Sequence, residues 1–410
     1  MAGSLRILVA IFVVLLLSLF LRVLSLSHGL SFHPDERHIV MTVMGMSWAD
    51  LNPHTFAYGS FPFYLMFFLS KALNWFSPQW IGYDEMFILG RSLSVFFGVL
   101  GIFLTFVLGR KLSGSSLVGL GAAALLALNP FHIQLSRFAT VDVMLTTLNT
   151  ATMLGCIWLL EGTKKWAAPF TGIMIGLSFA TKISSLSLFL PALLALAVAP
   201  GQKIFFKRAS FWSSLLILLV TAVLVAVVAQ PYAILDVKTF LAHTTEQVNM
   251  VRGEWRPPYT IQYENTAPYF YHLGQMFNFT VGAPVFLSVL FGGIWALRGM
   301  FREIRWAWIV SLVWAAAVFF LVARYQVKFP RYLLPLYPLL MVLAAYGLAR
   351  LYEVVSRRFG SSWAAIPASL VGVLALLSAT AFVQIYQSDH VYHQASRWIY
   401  ENVPRGSKIL

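Results

Sequence analysis

The sequence predicts an all-α polytopic membrane protein with about eleven crossings, and three observations carry that expectation. Of its 410 residues 59% are hydrophobic and only 11% are charged, too few charges to cover a soluble surface. Apolar runs recur along most of the chain, and their continuity, in place of strict alternation, excludes a transmembrane β-barrel. The loops between the runs also sort by the sign of their charge, as cytoplasmic and extracytoplasmic loops do.

The first run, 5–27, is interrupted by Arg22 and lacks a small-residue cleavage site. It reads as an uncleaved signal anchor whose N-terminus, with Arg6, is cytoplasmic. Further spans are expected at 86–109, 116–131, 141–160, 168–182, 185–200, 211–230, 283–299, 306–323, 332–350 and 363–386. Residues 61–76 are apolar as well, but a crossing there would invert every later loop against the charge rule. They are expected to lie as a helix in the outer interface, which suits their aromatic content and Lys71. Lys182 and Pro191 divide 168–200 into two short helices that meet at the outer face.

Arg110/Lys111, Lys164/Lys165, Lys203/Lys207/Arg208, Arg298/Arg302/Arg305 and Arg350/Arg357/Arg358 form the cytoplasmic set. Every carboxylate except Glu161, Glu303 and Glu353 falls in or beside the opposite set, at 28–85, 132–140, 231–282, 324–331 and beyond 387. The expected organisation is a transmembrane domain over 1–386, with a first extracytoplasmic loop at 28–85 and a long one at 231–282. Residues 387–410 read as the start of an extracytoplasmic C-terminal segment. The net charge of +14 is explained by clusters held against anionic lipid. With no zinc-finger spacing, P-loop or dinucleotide fingerprint, the expected partners include membrane lipids and no nucleic acid. The single cysteine, Cys156, forms no internal disulfide.

Chemistry concentrates in His33-Pro34-Asp35-Glu36-Arg37-His38, directly after the first span. Adjacent carboxylates at a membrane boundary are costly unless paired, solvated or bound to something. One of them could take a proton from an acceptor hydroxyl while the other pairs with Arg37 or orients a ligand. Asp142, at the mouth of its span behind Arg137, could bring a further carboxylate to the same face. Equally, it could cap its own helix and pair with Arg137. Lys182 either snorkels to the headgroups or clamps a phosphate at that depth. Arg324, Lys328 and Arg331 gather on the acidic side with no acid nearby, which suggests an anionic ligand. The loop 231–282 mixes His243, His272, Trp255 and several tyrosines in a manner suited to sugars or to an interface.

These pieces, in this order, resemble the GT-C glycosyltransferases, in the branch of protein O-mannosyltransferases and lipid A aminoarabinose transferases. The resemblance rests on His33-Pro34-Asp35-Glu36, on Gly90-Arg91 with Gly109-Arg110-Lys111, and on Asn129-Pro130-Phe131-His132 leading through Arg137 to Asp142. It continues through Gly176 to Lys182 and through Lys328-Phe329-Pro330-Arg331-Tyr332-Leu333-Leu334-Pro335, and so covers nearly the whole chain.

What the resemblance implies is a GT-C-type bundle with interfacial helices in its first extracytoplasmic loop. It further implies transfer of a hexose such as mannose, or a pentose, from a polyprenyl-phosphate donor. The acceptor would be a hydroxyl of a protein, lipid or glycan, with inversion, on the outer face of a bacterial-type plasma membrane. Asp35, Glu36 and Asp142 would be the catalytic carboxylates, and Arg137, Lys182, Lys328 and Arg331 would hold the donor phosphate. His33, His38 and Tyr332 would contact substrate. No cofactor is certain; a divalent metal would draw on Glu36, Asp142 and His243. Relatives often continue into a soluble domain, so the chain reads as a short form or a fragment. A transporter or flippase of a lipid-linked anion is the rival reading. It explains the many spans but not the adjacent acids.

Overall fold

The computed structural model describes residues 2–162, 164–199, 209–302 and 305–408. Among these it is helical throughout, with no strand. The chain begins with α1 (Ala2–Val23), α2 (Pro34–Gly45), α3 (Phe61–Phe76), α4 (Tyr83–Ser113), α5 (Ser116–Ala127) and α6 (Pro130–Leu135). It continues with α7 (Asp142–Glu161), α8 (Ala167–Phe179), α9 (Phe189–Val198), α10 (Ala209–Ala229), α11 (Tyr232–Leu235) and α12 (Val237–Arg252). Last come α13 (Phe270–Gln275), α14 (Ala283–Arg302), α15 (Trp306–Val322), α16 (Tyr337–Phe359), α17 (Ser361–Gln384) and α18 (Val391–Asn402).

Among the described residues seven helices are long and apolar enough to cross a membrane, and four shorter apolar ones are Ser116–Ala127, Ala167–Phe179, Ile183–Val198 and Trp306–Val322. Together they occupy the positions of the expected spans. Lys203, Lys207, Arg208 and Glu303 of the sequence reading lie outside the described residues.

α7 is the central helix. It packs on α4, α8 and α9, while α16 packs on α5, α14 and α17. Nearly every α7 side chain is buried, including Thr146, Thr147, Thr150 and Thr152. Each of these hydroxyls donates to the carbonyl four residues back, so these four hydroxyls are satisfied within their own helix. At one end of α7, Glu161 accepts from Lys111 Nζ at 2.6 Å. Asp142 lies at the other end.

α4 shows the charge placement that favours a long helix. Asp84 and Glu85 occupy its first turn, Arg110 and Lys111 its last, and Gly114 closes it in the left-handed conformation. Buried cations tie the other helices together. Arg22, at the end of α1, is fully buried; it donates to Ser18 Oγ at 2.9 Å and to the Ala127 carbonyl at 3.1 Å, and it contacts His132 Nδ1 at 2.8 Å.

The chain 168–200 does break in two, as expected from Lys182. The break leaves carbonyls at the end of α8 without helical partners. Gly59 N–H donates to the Thr181 carbonyl and Phe61 N–H to the Ala180 carbonyl, both at 3.0 Å. This strap requires glycine, because a Cβ on Gly59 would sit 2.0 Å from the Ala180 oxygen. Gly59→Ala should cost about 1–3 kcal/mol and lower the thermal midpoint of the purified protein. An unchanged midpoint would show that the strap is dispensable.

Candidate active site

The ends of several helices open into one cavity of about 300 Å³. Phe56, Tyr58 and Gly59 enter it from the segment before α3, Asp142 and Leu145 from α7, and Lys182 and Ser184 from the break after α8. Gln230 contributes from the end of α10, one face of α12 forms a wall, and Arg331, Tyr332 and Pro335 complete it. Most of the lining is apolar or aromatic, and its charged groups are Asp142, Lys182 and Arg331.

Two ion pairs organise these charges. Arg331 Nη1 donates to Asp35 Oδ2, joining residues almost 300 positions apart in the chain. Lys182 Nζ donates to Asp142 Oδ1 at 3.2 Å and stands 4.9 Å from the centre of the Tyr332 ring. The Asp35 side chain remains 26% exposed, whereas Asp142 is almost completely buried. Burial alone would raise the Asp35 carboxyl, but the Arg331 guanidinium outweighs it, and the net shift is below the usual carboxylate range. Burial lowers His33 by more than Asp35 raises it, so its imidazole is neutral near pH 7.

Asp35 is held in place by the start of α2. His33 caps the helix by accepting from Glu36 N–H at 3.5 Å, and Pro34 pre-sets the first turn. Glu36 points the other way, to a site that is fully buried. There it accepts two hydrogen bonds from Arg91, at 2.6 and 2.8 Å, and one from Ala139 N–H at 3.0 Å. Arg91 also donates to the Leu26 and His28 carbonyls.

Glu36, expected as a catalytic carboxylate, is thus placed away from the cavity lining. Its carboxylate is consumed in clamping α2 and the turn before α7 onto α4. Sequence reading quoted Arg91 only as part of a motif and missed this role. An arginine inside an apolar span was the available signal, because it needs a carboxylate partner.

Arg137, expected at the donor phosphate, is placed elsewhere as well. Its guanidinium donates to the carbonyls of Leu21, Arg22 and Ser25 and stacks 3.9 Å from the centre of the Tyr386 ring, away from the cavity lining. Lys328 is 2% exposed, donates to the Gln326 carbonyl at 3.3 Å, and likewise does not line the cavity. His38 is exposed beside Thr55, and Tyr332 lines the cavity.

The metal ligands suggested by the sequence do not converge. Glu36 is occupied by Arg91, Asp142 by Lys182, and His243 Nδ1 accepts from Phe56 N–H at 3.2 Å. Among the described residues no three His, Cys, Asp or Glu side chains come together to hold an ion.

Residues 67–246 match the model of the dolichyl-phosphate-mannose-protein mannosyltransferase family. An uncharacterized protein of Aquifex aeolicus is 26% identical over 275 residues, 65% of this chain and 50% of that protein. Undecaprenyl phosphate-alpha-4-amino-4-deoxy-L-arabinose arabinosyl transferase 2 of Proteus mirabilis is 24% identical over 347 residues, 78% of this chain and 57% of that protein. The chain thus spans about half the length of these curated relatives.

Among solved structures, the oligosaccharyltransferase AglB of Archaeoglobus fulgidus, in complex with an inhibitory peptide and a dolichol-phosphate, superimposes with a TM-score of 0.60. That superposition is at 16% identity and covers 98% of this chain and 59% of that one. ArnT of Cupriavidus metallidurans bound to undecaprenyl phosphate gives a TM-score of 0.52 at 17% identity, covering 98% of this chain and 72% of that one. The chain thus shares its fold with these two structures, and over residues 67–246, a little under half of its length, it is similar to the mannosyltransferase family.

Proposed function

We propose that the protein transfers a sugar from a polyprenyl-phosphate donor to an acceptor hydroxyl, with inversion, on the extracytoplasmic side of the membrane. The observation that carries this reading is the cavity itself, where Asp142, Lys182 and Arg331 lie between apolar walls at the end of a helical bundle and Asp35 pairs with Arg331 just beyond the lining. A polyprenyl chain suits the apolar wall, and its phosphate suits Lys182 and Arg331. The placement outside follows from the charge rule, which puts the basic end of α4, where Lys111 pairs with Glu161 of α7, in the cytoplasm.

Asp35 is the base in this scheme. It takes the proton of the acceptor hydroxyl as that oxygen bonds to the anomeric carbon. The bond from that carbon to the phosphate oxygen breaks on the opposite face, and the electron pair leaves with polyprenyl phosphate. The leaving group gains negative charge and needs cations, not a proton. Lys182 and Arg331 meet that need, while Asp142 holds Lys182 in place. Protein, lipid and glycan acceptors all present such a hydroxyl. A flippase would not need a base beside the cations, and the matches favour the transferase.

The test is transfer of labelled sugar from polyprenyl-phosphate-mannose by the purified protein. Arg331→Ala and Lys182→Ala should each raise the apparent donor KM by about 10- to 100-fold. Lys328→Ala should leave the donor KM within about twofold, since its ammonium does not line the cavity. Wild-type donor affinity in both Arg331→Ala and Lys182→Ala would sink the phosphate assignment.

A further inference from the structure

Besides the ion pairs, the cavity presents a second polar set that the scheme above does not use. Phe240, Thr244, Gln247, Val248 and Val251 all line it. Their spacing places them on one face of α12. The apolar members of that stripe suit lipid, but Thr244 and Gln247 interrupt it with a hydroxyl and an amide. Gln230 approaches from the end of α10 and is 3% exposed. Its Oε1 accepts from Ser60 N–H at 3.4 Å, which orients the side chain and leaves its NH2 group as a donor. Ser60 follows Gly59, so the strap that closes the α8 break also positions this amide.

We infer that Gln230, Thr244 and Gln247 form the sugar-reading wall of the cavity, and that they select an uncharged sugar over one bearing an ammonium group. This rests on the donor reading proposed above. Amides and a hydroxyl supply both donors and acceptors, as neutral ring hydroxyls require. An ammonium needs a carboxylate to replace its water when it is buried. The only carboxylate among the lining residues is Asp142, which already pairs with Lys182. Asp35, just beyond the lining, pairs with Arg331. A buried cationic sugar would have to break one of those pairs, whereas a neutral sugar leaves both intact.

The test uses the full chain in lipid nanodiscs and measures binding of three probes. These are polyprenyl phosphate alone, polyprenyl-phosphate-mannose, and polyprenyl-phosphate carrying 4-amino-4-deoxy-arabinose. The native protein should bind the mannosyl lipid at least about tenfold more tightly than the amino-sugar lipid. Gln247→Ala should weaken the mannosyl lipid by about five- to tenfold and leave bare polyprenyl phosphate unchanged. Gln247→Glu should reduce or reverse the preference, because it offers the ammonium a carboxylate. Equal affinity of the native protein for the two sugars, or an unchanged preference in Gln247→Glu, overturns the inference while bare-lipid binding keeps the donor reading intact. Failure of the native protein to bind bare polyprenyl phosphate overturns both.

Discussion

Asp35→Asn should abolish transfer, lowering kcat by about 10²- to 10⁴-fold, while binding of the polyprenyl-phosphate donor is largely kept. The asparagine amide is nearly isosteric and still accepts a hydrogen bond from Arg331, so the cavity stays assembled. What it cannot do is take a proton. Substantial transfer by the folded variant would remove Asp35 from the role of base and leave Asp142 as the candidate. The pH profile gives an independent check. Arg331 holds the Asp35 carboxyl below its ordinary range against the upward push of burial. The base is therefore ionised across the neutral range, and kcat/KM should fall only when the medium becomes acidic enough to protonate it. In Arg331→Ala burial is opposed only by the weaker pull of His33 and Lys182, so the acid limb of kcat/KM should move to higher pH. An acid limb that stays in place would show that the two residues do not interact in the working enzyme.

The second large effect is on folding. Glu36→Ala should destabilise the protein by about 3–5 kcal/mol, because it strands the buried Arg91 guanidinium without its carboxylate. Arg91→Ala should do similar damage by stranding Glu36. Thermal unfolding in detergent reads both. Because Glu36 does not reach the cavity, the fraction of Glu36→Gln that folds should transfer sugar at least about a hundredfold faster than Asp35→Asn. Equal losses of kcat in folded Glu36→Gln and Asp35→Asn would return Glu36 to the chemistry.

The contrast between these neighbours shows what the sequence could reveal. Hydrophobic runs of spanning length made the bundle legible, and the breaks at Lys182 and after Phe76 were marked by charge and by aromatic residues. Asp35 and Glu36 stood out together because acids are scarce. Their division of labour was not legible, since it depends on which face of α2 turns toward α4. The directions of Arg137 and Lys328 were not legible for the same reason. A cation near a membrane boundary can point at phosphate or at backbone carbonyls, and spacing does not distinguish the two. The wall made by α12 was hidden differently. Thr244 and Gln247 are ordinary residues of an amphipathic helix until its packing shows which stripe faces the cavity.

Arg22 has a consequence for how the protein is made. Its partners beyond α1, the Ala127 carbonyl, His132 and Ser136, lie 105, 110 and 114 residues further along the chain. At a synthesis rate of about 5–20 residues per second, α1 waits on the order of ten seconds before they emerge. Throughout that interval its guanidinium must stay among headgroups or water. The first helix to reach the membrane is thus among those that cannot dock until later helices arrive, and α1 should become resistant to proteolysis only in nascent chains long enough to expose α6. Protection in chains arrested before Ala127 would show that α1 seats without them.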